Sequence, residues 1–341
     1  MTALAAAGAV IIKSTYMEHI ILYAIVPILV VMLLGYYSGK TKAFSGSDAR
    51  VLNKVVLNYA LPAALFVSII KANREMLSVD VKLTIISFVV LIAMFFVVYF
   101  VFRYLYKDSE AESAVSALIS GSPTIGFLGF AVLQPIFGDT SAVGLVVAIV
   151  AIEVNAIGIP IGLALLNAGR AKQNTLSAGE KKPNPWMPVV NALKEPVAWV
   201  PILAVILVLL GLKWPDYLNP SFDLIKGANA SVAVFAAGIT LSSVKIKING
   251  QAIMGSFLKL IVMPLAILAV GIIFRMEPEN LKMLVVCAAL PPAFSGIIIA
   301  DERDTYVATG TSSLALSVIL FMGFCPLWIW ITEACLAHVA W

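Results

Sequence analysis

The sequence predicts an all-α polytopic membrane protein: ten transmembrane helices arranged as two inverted five-helix repeats, with the fourth and ninth helices broken. Three observations predict it. The 341 residues are 61% apolar and only 12% charged, whereas about a quarter of a soluble domain is charged, so no water-soluble fold could bury this much apolar surface. Ten segments reach the roughly 20 mostly apolar residues that a helical span needs: 18–38, 50–70, 80–105, 112–137, 141–168, 196–213, 221–243, 251–274, 281–300 and 305–335. A short motif and a proline interruption in the first half both recur in the second. The runs are long, unalternating and rich in Leu, Ile, Val and Ala, which excludes the alternating ten-residue strands of a membrane barrel.

Composition excludes several functions. The net charge of +4 comes from basic residues scattered through short loops, with no stripe or run that would bind nucleic acid. Cys287, Cys325 and Cys335 are odd in number, lie in apolar segments and lack CxxC or Cys/His spacing. They read as small apolar fillers, not as disulfide or metal ligands. His19 and His338 stand near opposite ends of the chain, and no phosphate loop, HExxH or Ser-His-Asp arrangement can be drawn. No catalytic residue, cofactor or metal is expected. The apolar run Ala3 to Ile12 is too short for a span and lacks the basic flank of a secretory signal.

The longest polar connection, Arg170 to Pro188, contains Gly179, Lys181, Lys182, Pro183 and Pro185. It divides the chain into a first repeat (18–168), a linker (169–195) and a second repeat (196–335). Alternate loops beginning with the first hold 14 Lys and Arg, and the opposite loops hold 7; Lys226 and Lys259 fall inside spans and complete the 23. The richer side is cytoplasmic by the positive-inside rule, which puts the linker inside and both termini outside. Val26-Pro27-Ile28-Leu29 in the first span recurs as Val200-Pro201-Ile202-Leu203 in the sixth, and glycine closes both runs at Gly35 and Gly211. Because five is odd, the second copy must enter the membrane from the opposite side, as in the inverted repeats of secondary transporters.

In the fourth span, Ser120-Gly121-Ser122-Pro123-Thr124-Ile125-Gly126 puts glycines, hydroxyls and a proline inside an apolar helix. In the ninth, Leu290-Pro291-Pro292-Ala293-Phe294-Ser295-Gly296 does the same. Proline removes a backbone donor and clashes with the preceding turn, so each helix either kinks or unwinds. Unwound backbone at membrane depth is tolerated only beside a cavity or packed protein, and the N–H groups of the following half-helix attract anions. Two breaks at corresponding places put a substrate site between them, with Ser122, Pro123, Thr124, Gly126, Pro291, Pro292, Ala293 and Ser295 as candidate binding residues.

Several polar residues inside spans are further candidates. Glu153 lies near the middle of the fifth span with Asn155 beside it; an acid there costs a few kcal/mol and faces a cavity or a partner. Two roles are open to it: carrying the coupling proton, or hydrogen-bonding an unwound backbone. Lys259, about nine residues into the eighth span, either snorkels to the interface or attracts an anion or carboxylate. On the second span Asn53 and Asn58 share one helical face; Lys54 reaches water, and Asn58 is internal and joins the candidate binding residues. Asn229, Ser231 and Thr240 make the seventh span polar, and Ala228, Ala230, Ala236, Ala237 and Gly238 suit close helix packing there.

Over Ile21 to Trp330 the chain resembles the auxin efflux carrier family, which includes plant auxin carriers and bacterial permeases for malonate and malate. The residues that carry the likeness are Leu52-Asn53-Lys54 with Leu61-Pro62-Ala63-Ala64-Leu65-Phe66, Gly126-Phe127-Leu128-Gly129, Ala237-Gly238-Ile239-Thr240-Leu241, and Leu290-Pro291-Pro292-Ala293 with Ala300. The resemblance implies a scaffold of spans 1, 2, 6 and 7 and a transport domain of spans 3–5 and 8–10 that moves like an elevator. It also implies that the crossing of the fourth and ninth spans holds the substrate carboxylate. Thr124 stands where relatives often have asparagine, and Glu153 where the plant carriers have glutamine; Lys259 matches one of their basic positions.

The expectation is a secondary active transporter of a small organic anion, a mono- or dicarboxylate, coupled to protons through Glu153, Asn155 and Lys259. It lies in the plasma membrane, with the lipid bilayer as its surroundings and a homodimer as one open assembly. The alternative is a sodium-coupled symporter of the bile-acid type, which needs acidic and amide ligands around the crossing; only Glu153 and Asn155 offer them. A channel or receptor stands behind both.

Overall fold

The computed structural model describes residues 22, 26–70, 81–173, 194, 196–212, 214–243 and 248–338. Among them the elements are helical, in the order α1 (Val26–Lys40); α2 (Gly46–Val55, Val56–Ala60 and Leu61–Ile70); α3 (Val81–Phe100 and Val101–Leu105); α4 (Glu110–Ser120); α5 (Ile125–Phe137). Then follow α6 (Ser141–Ile152, Glu153–Gly158 and Ile159–Gln173); α7 (Pro196–Leu210); α8 (Asn219–Ser243); α9 (Gly250–Phe257, Leu258–Val262 and Met263–Ile273); α10 (Pro278–Ala289); α11 (Phe294–Glu302); α12 (Val307–Leu336). β-pairing among the described residues is confined to one isolated bridge.

Six helical stretches among the described residues are long and apolar enough to cross a membrane: Gly46–Val67, Val81–Leu105, Ser141–Arg170, Asp216–Ser243, Gly250–Ile273 and Val307–Leu336. Val26–Lys40, Leu128–Phe137 and Trp199–Leu210 are apolar but shorter. The segments expected as a fourth and a ninth span are each two helices, α4 with α5 and α10 with α11. Residues 18–21 and 23–25 of the expected first span lie outside the described residues, as do 174–193 and 195 of the linker; α6 itself continues through Gln173.

Five helix starts at loops carry side-chain caps among the described residues. Ser45 with Asp48 and Ser109 with Glu112 form reciprocal capping boxes at α2 and α4. Thr140, Asn249 and Glu277 cap α6, α9 and α10. In contrast, α5 begins at the break after Thr124 with no side-chain cap.

Three helices widen into a π turn two residues ahead of a proline: Val56–Ala60 before Pro62, Glu153–Gly158 before Pro160, and Leu258–Val262 before Pro264. Proline cannot donate to the carbonyl four residues back and its ring crowds that carbonyl. The wide turn shifts bonding one residue further, so that Leu61 N–H reaches the Val56 carbonyl, Ile159 N–H the Val154 carbonyl and Met263 N–H the Leu258 carbonyl. Pro135, Pro201 and Pro326 are accommodated inside their helices without such a turn.

Helix α1 lies along α8, α2 and α7 pack beside them, and this group meets the rest through α2 and α7 on α6 and α8 on α5. Glycine makes the α1–α8 approach possible. A Cβ on Gly35 would stand 2.1 Å from the Phe235 carbonyl oxygen, and one on Gly238 would stand 2.1 Å from that of Met32. Without a hydrophobic drive between helices in lipid, such close backbone contact carries the packing. Gly238→Leu should therefore cost about 1–3 kcal/mol and lower the thermal midpoint of the purified protein in detergent. Gly323→Ala, where a Cβ meets nothing within 4 Å, should leave that midpoint unchanged or raise it.

Candidate functional site

The breaks after α4 and α10 meet. Pro123 and Pro292 form an antiparallel bridge, in which Thr124 N–H donates to the Pro291 carbonyl at 3.0 Å and Ala293 N–H to the Ser122 carbonyl at 3.0 Å. In an antiparallel pair the residues of a non-hydrogen-bonded position donate nothing to each other, so prolines fit there on both strands. Ala293 N–H also reaches the Ile119 carbonyl at the end of α4, at 3.2 Å. Leu290, ahead of two prolines, is extended (φ −54°, ψ 149°), the conformation that proline imposes on its predecessor.

A cleft opens against this bridge, lined by Leu57, Pro123, Thr124, Ile125, Gly126, Val154, Asn155, Ala293, Phe294 and Ser295. Its free space of about 10 Å³ is that of a single water. Thr124, only 2% exposed, turns a hydroxyl that finds no hydrogen-bond partner among the described residues. The first turns of α5 and α11 start beside it and bring the partial positive charge of two helix N-termini to the same place. Electrostatically the cleft is therefore suited to an anion.

Of the residues nominated from sequence, Pro123, Thr124, Gly126, Asn155, Ala293 and Ser295 line the cleft together. Ser122, Pro291 and Pro292 belong to the bridge behind it. Asn58 is half-buried on the π turn of α2, and its neighbour Leu57 supplies the lining instead. Asn155 donates its amide to the Ala151 carbonyl at 2.8 Å.

Glu153 stands one residue behind the lining. It is 5% exposed; its Oε1 accepts from Ser87 Oγ of α3 at 2.6 Å, and its Oε2 has no partner among the described residues. Lys259 is 0% exposed, which corrects the snorkelling alternative: its ammonium donates to the Ala288 carbonyl and contacts Met263 Sδ at 3.2 Å, with no carboxylate within 4 Å among the described residues. The π turn points this lysine inward, and the last turn of α10, which ends at the break with orphan carbonyls, receives a cation. Cys287 and Cys325 are free and buried.

Two polar groups escaped sequence reading. Ser87, one hydroxyl in an apolar helix, gave no periodic signal. Trp328 Nε1 donates to the Leu260 carbonyl at 2.7 Å, the very carbonyl that Pro264 leaves without its helical donor. At the loop end of the same helices, burial holds the Asp108 carboxyl above the usual carboxylate range, against the two hydrogen bonds of 2.8 and 3.0 Å that Gln251 Nε2 gives it.

Interrupted apolar helices joined break to break around a buried cleft, with six membrane-length helices among the described residues, fit an integral membrane transport protein. The family model for membrane transport proteins matches residues 20–329, and the chain belongs to that family, the auxin efflux carriers. It is 54% identical over 313 residues to the uncharacterized transporter YfdV of Escherichia coli, covering 91% of this chain and 96% of that one. An uncharacterized transporter of Methanothermobacter thermautotrophicus is 26% identical over 308 residues (89% and 96%). A Rhizobium meliloti protein described as a proposed malonate transporter is 23% identical over 305 residues (87% and 91%).

The Trp328 contact can be tested by a double-mutant cycle. Trp328→Phe should cost about 1–3 kcal/mol by stranding a buried carbonyl. In the Pro264→Ala background the restored backbone N–H can serve that carbonyl, and the cost should fall by at least half. Equal costs in both backgrounds, read as detergent unfolding free energies, would disprove the link.

Proposed function

We propose that this chain is a secondary active transporter of a small mono- or dicarboxylate, with ten spans in two inverted five-helix repeats. In this reading α1, α2, α7 and α8 form the scaffold, the other helices move against it as an elevator, and protonation of Glu153 couples the movement to a proton gradient. The protein sits in the plasma membrane with its linker inside and both termini outside.

The observation that carries the proposal is the reciprocal bridge at Pro123 and Pro292. It brings two half-helix N-termini and the unsatisfied Thr124 hydroxyl to one cleft, and such ends receive carboxylates in transporters built from broken helices. A second pairing supports the repeat: Ser87 of α3 bonds Glu153 of α6, and Ser256 of α9 bonds Ser317 of α12 at 2.9 Å. Each bond joins the third and fifth spans of its proposed half, with Ser87 and Ser256 both seventh in their helices, and Glu153 thirteenth in α6 against Ser317 eleventh in α12. The description of the Rhizobium meliloti relative agrees with a dicarboxylate as cargo. A space of about 10 Å³ is too small for any carboxylate, so Leu57 of α2 and Phe294 of α11 must part to admit one, as alternating access requires.

Uptake of labelled malonate into proteoliposomes tests the reading. Uptake should rise when the outside is made acidic, and replacing sodium with potassium should leave it unchanged; a strict sodium requirement would favour the bile-acid type of symport instead. Glu153→Gln should abolish the stimulation by acid while retaining malonate exchange between equal pH values. Thr124→Val should raise the half-saturating malonate concentration roughly tenfold, as expected for loss of one hydrogen bond to a charged ligand. No change in either variant removes these residues from the mechanism.

A further inference from the structure

Away from the crossing, a vestibule of about 390 Å³ separates α8 from α5 and the loop that follows it. Asp223, Lys226 and Asn229 line it from α8, three residues apart and so on one helical face. Gln134 and Phe130 of α5 and Asp139 of the loop line the opposite wall, and Ala64 of α2 contributes to the floor. Lys226 and Asn229 lie inside a span by the sequence reading, and the crossing uses neither.

A carboxylate already occupies this vestibule. Lys226 Nζ donates to both Asp139 oxygens at 3.1 Å, and Gln134 Nε2 donates to Asp139 Oδ1 at 2.7 Å. The ammonium and the amide thus form a seat of carboxylate shape. The occupant is the chain's own aspartate, whose side chain remains 64% exposed against 16% for Lys226. The loop that carries it is short: Gly138, at φ +87°, closes α5 by donating to the Gln134 carbonyl, and Thr140 caps α6. Asp139 therefore sits on a rim, and solvent competes for it. One turn deeper, Asn229 is 2% exposed, and neither its Oδ1 nor its Nδ2 finds a partner among the described residues. A buried amide left with both ends unpaired costs a few kcal/mol unless a ligand completes it.

We infer that the vestibule is a second carboxylate-binding site, distinct from the crossing, in which a small dicarboxylate displaces Asp139. One carboxylate takes the seat of Lys226 Nζ and Gln134 Nε2, and the other end reaches the amide of Asn229. Asp139 acts as a tethered competitor that keeps Lys226 neutralised while the site is vacant. A pair of this kind, with Asp139 largely in solvent, contributes little to stability, so a free dicarboxylate can replace it. The inference rests on the carboxylate reading of the family site, and it gives that cargo a first stop on the path.

Calorimetric titration of the full-length protein in nanodiscs with malonate, run beside malonate uptake, tests this. Asp139→Asn removes the competing charge and should tighten malonate binding three- to tenfold. Adding Lys226→Gln should cancel the gain, and Asn229→Ala should weaken binding several-fold. If malonate binds and is transported while Asp139→Asn leaves its affinity unchanged or weaker, the pair is only a strut: the seat is overturned and the transport reading stands. If Asp139→Asn tightens binding but no uptake occurs, the seat stands and the transport reading falls. Failure of malonate to bind the wild type and Asp139→Asn alike overturns both. The Asp139→Asn arm decides the matter even if a buried substitution on α8 fails to fold, because Asp139 lies on the exposed loop.

Discussion

Every other feature of the site depends on one demand: backbone polar groups placed away from water must find partners in the protein. Proline breaks the helices at 121–124 and 290–293, and each break strands carbonyls on one side and N–H groups on the other. The two breaks satisfy each other. Reciprocal bonds from Thr124 and Ala293 to Pro291 and Ser122 use the residues that flank Pro123 and Pro292, so the absence of proline donors costs nothing. What the bridge leaves at the cleft is the Thr124 hydroxyl, beside the partly positive N-terminal ends of α5 and α11. The anion-attracting character of the site is thus a remainder of backbone accounting.

The same demand shapes the flanking helices. Asn58, Glu153, Asn155 and Lys259 all lie within π turns, and each of these turns precedes a proline. A π turn rotates the following side chains relative to a regular helix and frees carbonyls, which is why such turns gather at functional positions. The two ends facing the breaks are nonetheless unequal. The last turn of α10 is met by the Lys259 ammonium, whereas the end of α4 is met by serines, with Ser120 Oγ 3.4 Å from Ser313 Oγ and Ser256 Oγ donating to the Ser313 carbonyl. A two-fold backbone therefore carries a one-sided charge.

Much of the fold was legible because lipid-facing helices announce themselves by unbroken apolar length, and because proline marks its own consequences. The paired interruptions at Pro123 and Pro291/Pro292 located the cleft to within a few residues. What the sequence could not carry was side-chain direction. Lys259 lies near enough to a helix end to snorkel by length alone; only the π turn and the position of Ala288 decide that it turns inward. Asn58 and Leu57 differ by one residue, and the local widening of α2 decides which of them meets the cleft. Ser87, Trp328 and the Lys226–Asp139 pair depend on partners 66, 68 and 87 residues away, and no periodicity records such distances. The expected fourth and ninth spans show the same limit: each is apolar throughout but not continuous.

The placement of Glu153 constrains how coupling can work in the proposed transporter. Val154 and Asn155 line the cleft, while Glu153 points away from it to Ser87 on α3. Among the described residues Thr124 and Glu153 share no hydrogen bond. Protonation would act on the packing of α6 against α3, where the free Oε2 lone pairs make the ionised form costly and the protonated form able to donate. The shared element is the π turn 153–158: its first residue is the buried acid, its second and third line the cleft, and Pro160 follows two residues after it. Such a turn can transmit a change of one side chain to its neighbours, and in this protein that turn is the sole direct connection between Glu153 and the cleft among the described contacts.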